Sequence, residues 1–421
     1  MVNTAQQYLC GLMQADKRNM ERMAETFPNS DDQVLQNFLT HSSWEYRGVM
    51  NRVARKADES VGAEVGAGLY IDESAFQKKG DKSVGVARQW NGRLGKHENS
   101  QVGVFGALGR GDRVSLIDAR LFLPQEWTQD PRRCAEAAIP KAQQVHRTKL
   151  ELALDIIRHA RQIGVRFEWV GMDGLYGQSL ALLQALHSEG ETFLAEIHAD
   201  RHIYLTDPAP YLPPQGPGRH RVRYHSDVKA IEVRQWLKKQ PASAWCQKTL
   251  RNTTKGELIV EVLHRRIWLW DKQSPTAQCW HLIVRREVNS PSTVKYSLSN
   301  APAQTSAAKL TKMQAQRFWI ERAFQDAKSH VGMAQYQARQ WQSWHRHMAL
   351  VMMATQFMLE SRLSQADAHP LLSCYDIQVL LATTLPDRRH DSHEEVMRQM
   401  QARHDKRQAA TESAIRNSPR N

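Results

Sequence analysis

Gly68-Leu-Tyr-Ile-Asp72 and Arg166-Phe-Glu-Trp-Val-Gly-Met-Asp173 are two short apolar runs that each end on an aspartate, and how they pair decides the fold. Each reads as a buried strand. A carboxylate at the end of a buried strand is costly unless it is paired or coordinates a metal, although a single aspartate there is as often a turn former. Between them, Gln101-Val-Gly-Val-Phe105 and Val114-Ser-Leu-Ile117, continuing to Leu123, predict two more strands, with Gly109-Arg-Gly-Asp112 as their turn. The spacing then predicts a helix from Pro140 to Ile163, stopped by Gly164 in the usual glycine manner. After the Asp173 strand come a helix from Gln178 to Ser188 and a fifth strand, Thr192-Phe-Leu-Ala-Glu196. Three strands joined as a meander and two joined by helical crossovers give a mixed sheet flanked by helices.

That element order resembles the ribonuclease H-like core, an α/β fold in which the first and fourth strands are neighbours. The resemblance implies that Asp72 and Asp173 meet in space. Outward from this core (67–200), residues 1–66 predict a helical region: Leu9, Leu12 and Met13, then Val34, Leu35, Phe38 and Leu39, then Val49, Val53 and Ala54 fall at helical spacing, and Asn29-Ser-Asp31 marks a helix start. The Pro/Gly-rich stretch within 201–220 predicts a boundary. It opens a basic β-rich insertion, 201–304, with strands at Lys229–Trp236, Leu258–Leu269 and Cys279–Arg285. One long helix from about Thr305 to Lys328 and another from about Gln340 to Ser361 complete the core (305–362). The rest, 363–421, reads as a helical and flexible tail, polar from Pro386 and helical near Glu394–Gln408.

The chain has 421 residues, 41% of them hydrophobic, which suffices for a real core, and its net charge is +13. Residues 198–300 hold 17 Lys/Arg against 8 Asp/Glu, whereas residues 1–66 hold 7 against 9. The surplus is therefore concentrated in the insertion, and a polyanion such as double-stranded DNA is the natural partner, because bound phosphates release condensed counterions. Five cysteines stand singly with no CxxC or CxxH spacing, which argues against a zinc ribbon and against a disulfide framework. No basic, then apolar leader opens the sequence and no apolar stretch is long enough for a bilayer, so a cytoplasmic protein without membrane contact is expected.

Cutting a phosphodiester needs a strong nucleophile at neutral pH and neutralisation of charge at the attacking and leaving oxygens, which two divalent ions supply together. Magnesium takes oxygen ligands, with manganese as a substitute, so the protein must offer carboxylates. Asp72 and Asp173 are two; Glu321, in QAQRFWIERAFQDAKSHVG, is the third. At ~100° per residue Gln314, Arg317, Glu321 and Lys328 fall on one helical face, away from Phe318 and Trp319, so the stripe is expected off the core. An i,i+4 ion pair between Arg317 and Glu321 is the plain alternative. Glu73 would point to the opposite strand face from Asp72 and is not counted as a ligand. Lys78 and Lys79 sit where a phosphate backbone would pass, though loop lysines are as often merely solvated. In the insertion, Arg265 and Arg266 are expected to bind DNA, while Trp245, Trp268 and Trp270 suit either base stacking or a core. His345 and His347, beside Trp341 and Trp344, read as a helix surface facing DNA.

The segments YIDESAFQKKGDKSVGVARQWNGRLGKHENSQVGV, WVGMDGLYG and RFWIERAFQDAKSHVG resemble the DDE transposases of the IS701 family, relatives of the IS4 group. The likeness runs from the N-terminal helices to about residue 360 and is most specific around Asp72. The larger group carries Y-x2-R-x3-E-x6-K on its glutamate helix; this chain matches at Arg317, Glu321 and Lys328 and has Gln314 where tyrosine would stand. The resemblance implies that Arg317 and Lys328 hold phosphates beside the cut. It implies, too, that Asp72 bridges two magnesium ions held further by Asp173 and Glu321, and that the enzyme cuts element ends, transfers the 3′-hydroxyl into target DNA and works as a homodimer. Two other readings stay open: a domesticated DNA-binding regulator, and a ribonuclease H-like nuclease without strand transfer. A carboxylate-pair glycosidase fits the basic charge poorly.

Overall fold

The computed structural model describes residues 1–385 except 28–29, 214–222, 254–255, 289 and 370–371, and then only 397–398, 401, 405, 408–409, 412 and 416. The helix expected near Glu394–Gln408 thus lies largely outside the described residues.

Four N-terminal helices, α1 (Val2–Gln14), α2 (Met20–Thr26), α3 (Asp32–Thr40) and α4 (Tyr46–Ala57), stand where three apolar stripes were read, and a π turn, Asp58–Gly62, follows. Asp31 starts α3 by accepting from the Gln33 and Val34 amides. Then come β1 (Gly68–Gln77), β2 (Ala87–Asn91), β3 (Lys96–Arg110) and β4 (Arg113–Leu121), the short helices α5 (Gln125–Thr128) and α6 (Pro131–Glu136), and α7 (Lys149–Gln162). The expected helix from Pro140 starts later, at a Thr148–Glu151 capping box, because only there are the first-turn amides satisfied. β5 (Trp169–Met172), the single turn α8 (Gly174–Gly177), α9 (Leu180–Ser188) and β6 (Phe193–Ile197) complete the first part.

Next are β7 (His202–Ile203), β8 (Ile231–Glu232), α10 (Val233–Lys238), β9 (Cys246–Thr253), β10 (Gly256–Leu269), β11 (Gln278–Glu287) and β12 (Ser290–Ser299). The strand expected at Lys229–Trp236 is mostly helix: after two paired residues, Val233 and Trp236 sit one turn apart and are both buried. α11 (Ala307–Gln316) and α12 (Trp319–His330) replace the single long helix expected there, and α13 (Trp341–Ser364) and α14 (Cys374–Thr384) follow.

One mixed sheet holds ten strands in the order β2-β3-β1-β5-β6-β12-β11-β10-β9, with β4 also pairing β3. β1 pairs β5 in parallel, Gly68↔Trp169 to Ile71↔Met172, and β5 pairs β6 in parallel, Val170↔Phe193 to Met172↔Ala195. β12 pairs β6 antiparallel, Tyr296↔Ile197 to Ser299↔Leu194, so β9–β12 continue the same sheet. Side chains alternate between its faces. Tyr70, Phe76, Phe105 and Leu194 belong to a core shared with α1–α3 and α11–α14, while Leu69, Ile71, Val104 and Met172 belong to one shared with α7 and α9. The sheet is therefore covered on both sides near β1 and β5, where the acids lie.

Candidate active site

β1 runs on to Gln77, so Asp72 lies within a strand rather than at its end; what ends at Ile71 is the parallel pairing with β5. Asp72, Asp173 and Glu196 each follow the residue at which the parallel pairing ends, Ile71, Met172 and Ala195. Parallel register puts these three carboxylates in one row across three adjacent strands, on the Tyr70 face. Glu196 is the member that sequence reasoning missed, although its cue is the same apolar run ending on an acid.

Asp173 accepts from the Leu175 amide at 3.0 Å and starts α8. Burial chiefly, with the neighbouring charge of Asp173 and against the pull of Arg317, pushes the Asp72 carboxyl up to about 8. Asp173 is raised as well, by burial first and by Glu73 second. Two carboxylates crowded together at the edge of a core, both oxygen donors, suit a hard divalent cation that would restore both to their charged form.

Glu321 approaches this row from α12. Arg317 links them: its guanidinium lies 3.5 Å from Asp72, 3.1 Å from Glu196 and 3.0 Å from Glu321. Arg317 is 4% exposed, and its three carboxylate partners outweigh the cost of burial and hold it firmly charged. The stripe expected off the core is thus partly core. Gln314 is buried and donates to Ser297 Oγ at 2.7 Å, whereas Phe318 is exposed. The helix breaks at 317–318, where Arg317 N to Met313 O stretches to 3.4 Å and Glu321 N bonds Phe318 O one residue tighter, at 3.1 Å. That break turns Arg317 inward and leaves Glu321 half exposed above Asp72. The i,i+4 pair of Arg317 and Glu321 is present, as one arm of this larger network.

Glu73 lies on the opposite face, as alternation requires, held by Lys149 Nζ of α7 at 2.7 Å and accepting from Tyr176 Oη at 3.3 Å. Lys328 is half buried with Nζ 5.6 Å from the Phe76 ring centre; burial and Arg93 lower it to about 8, against the pull of Asp72. Lys78 donates to Tyr336 O at 3.0 Å and is likewise lowered by burial to about 8, while Lys79 is exposed. Both line a cleft of about 1060 Å³ that also holds Ser83 and Arg339. Six residues beyond Asp72 on an extended strand, Lys78 is ~20 Å from the acids. Arg265 is exposed and Arg266 half buried on β10, five strand steps or ~24 Å across the sheet from β1. Trp270 is tied to Ser274 O at 2.8 Å, and Trp245 lies under the Arg286 guanidinium at 3.9 Å. His345 and His347 are corrected outright: at 1% and 0% exposure they are core residues and face no DNA. The first half of α13 is packed on most sides, so Ser343 and Arg346 are buried as well.

Among the described residues no helix is long and apolar enough to cross a membrane. Residues 2–257 match the profile of a family described as DDE superfamily endonuclease. The chain is 29% identical over 166 residues to a probable transposase for insertion sequence element IS701 from Microchaete diplosiphon, spanning 39% of this chain and 40% of that relative. It is also similar to the crystal structure of the NurA nuclease from Sulfolobus solfataricus, at 10% identity and a TM-score of 0.25 over 78% of this chain and 95% of that one, a likeness too slight to bear on the fold. The family match takes in more than half the chain and includes both Asp72 and Asp173, and the chain belongs to the DDE superfamily endonucleases.

Proposed function

We propose that this protein is the transposase of an insertion sequence, with a ribonuclease H-like core that cuts DNA at the element's ends and joins the freed 3′-hydroxyl to target DNA. The observation that carries the reading is the register-matched row of Asp72, Asp173 and Glu196, joined to Glu321 through Arg317, in a DDE endonuclease. Asp72, Asp173 and Glu321 would hold two divalent ions, magnesium or manganese, whose chemistry is to activate a water and neutralise charge at the attacking and leaving oxygens. Arg317 holds the row in place and draws the Asp72 carboxyl down against the effect of burial, and Glu196 shares its guanidinium. Lys328, desolvated beside the acids, is suited to a scissile-strand phosphate, which would raise it back towards its ordinary value. Lys78 and Lys79 in the neighbouring cleft, and Arg265 and Arg266 on the outer sheet, fit more distant phosphates of the same duplex. Two ends must be cut together, which calls for a homodimer on DNA.

The test is cleavage of a plasmid carrying the flanking element ends, with Mg²⁺ or EDTA, by wild type and Asp173→Asn. Metal-dependent cuts at the ends, lost at least about a thousandfold in the variant while DNA binding persists, are expected, and joined products in a strand-transfer assay should accompany them. Tight binding without cutting by folded protein would support a regulator instead, and cutting without joining a simple nuclease.

A further inference from the structure

We propose that Asp326, His330 and Cys374 form a second cation site, for a zinc-class ion, that fastens the Glu321 helix to the C-terminal helix α14. Asp326 and His330 stand four residues apart on α12 and so share one face. Cys374 is the first residue of α14, fixed there by the Ser373–Asp376 capping box. One donor atom from each of the three lies within 4.8 Å of the other two. This face is turned ~140–180° about the α12 axis from Glu321, so the ligands are separate from the acid row. A thiol and an imidazole beside one carboxylate are poor ligands for magnesium and good ones for zinc or cobalt.

The surroundings are those of a prepared ligand set. Gln378 Nε2 donates to Met13 O at 2.8 Å, which aims its Oε1 at His330 Nδ1, 2.9 Å away. A carbonyl oxygen only accepts, so the imidazole proton sits on Nδ1 and Nε2 keeps its lone pair, the tautomer that second-shell partners impose on metal-bound histidines. Arg322 Nε spans both Asp326 oxygens, at 3.0 and 3.2 Å, which leaves that carboxylate oriented and able to share one oxygen with a cation. Asp326, Ser373 and Cys374 border a cleft of about 980 Å³, from which water would take the fourth position of a tetrahedral ion. Binding forms the sulfur–metal bond as the thiol proton leaves to solvent.

Full-length metal-free protein titrated with Co²⁺ should develop a thiolate-to-cobalt charge-transfer absorption at one equivalent per chain, and Zn²⁺ should abolish it. Carboxylates alone cannot produce that band, so cobalt in the Asp72 row does not imitate it. The band should vanish in Cys374→Ser and weaken in apparent affinity at least tenfold in His330→Gln, and Zn²⁺ should raise the melting temperature of wild type by more than that of either variant. A band unchanged in Cys374→Ser, no band in folded wild type, or undiminished affinity in His330→Gln would each overturn the site. Because His330 is partly exposed, its variant serves where Cys374→Ser fails to fold.

Discussion

Arg317 holds three carboxylates, Asp72, Glu196 and Glu321, with one planar fork. Its side chain is 5% exposed and that of Asp72 13%, so water screens little of their attraction. Removing one partner of a buried ion network leaves the others desolvated and uncompensated, a loss of ~3 kcal/mol or more. Arg317→Ala should therefore lower the unfolding free energy read from urea titration by that amount at pH 7.5 in EDTA, and Arg317→Lys should recover only part of it, since an ammonium cannot reach three acids in one plane. Mg²⁺ should stabilise the alanine variant more than wild type, because the acids have lost their internal counter-charge. Equal stability of wild type and Arg317→Ala in EDTA would show the network to be energetically idle.

At the scale of the element, the acid row depends on how closely α8 seats on β6. A Cβ at Gly177 would lie 1.8 Å from the Glu196 carbonyl oxygen, and backbone cannot step aside as a flexible side chain can. Gly177→Ala must push α8 away from β6, moving Asp173, which starts α8, relative to Glu196. We expect a loss of ~1–3 kcal/mol and at least about tenfold slower cleavage. Gly48→Ala is the control: its Cβ would meet nothing within 4 Å, inside helix α4, so it should be neutral or stabilise by up to ~1 kcal/mol. Cleavage by Gly177→Ala at the wild-type rate would break the link between this seating and the site. The same elements mark how far the sequence could be read. Asp72 and Asp173 were legible because an apolar run ending on a carboxylate is a local pattern, and Glu196 carries that pattern too. Its membership in the row is a matter of register between strands, which no local pattern states. The break at 317–318 has neither glycine nor proline to announce it; it follows from what Arg317 binds. The strands β10 and β11 were visible by composition, but their joining to β6 through β12 is a non-local pairing.

For the whole molecule, α13 ties the parts together. It packs on α1, α3, α4, β4 and α14, and its polar residues are used inside this core. Arg346 donates to the carbonyls of Leu39, Ser42 and Trp44, closing the loop after α3, and Tyr8 Oη of α1 lies 2.9 Å from His347 Nδ1. Their place beside Trp341 and Trp344 made His345 and His347 read as a helix surface facing DNA; enclosure by the N-terminal helices makes them core. Burial lowers both to about 3, with nearby Arg47 acting on His345 and Lys78 on His347 in the same direction. An unfolded histidine titrates near pH ~6.5. Between these values the unfolded chain binds more protons than the folded one, so stability rises with pH. The contribution is fully present above pH ~6.5 and is lost as pH falls towards 3, at ~1.4 kcal/mol per pH unit for each histidine. Chemical denaturation at pH 7.5, 6.5, 5.5 and 5.0 should show the midpoint falling below pH 6.5. In His345→Asn/His347→Gln, less stable at pH 7.5, the decline should be shallower by most of that slope, because neither replacement takes up a proton. Parallel declines in the double variant and wild type would place the acid sensitivity elsewhere, and would mean that the two imidazoles are reached by water in the folded protein.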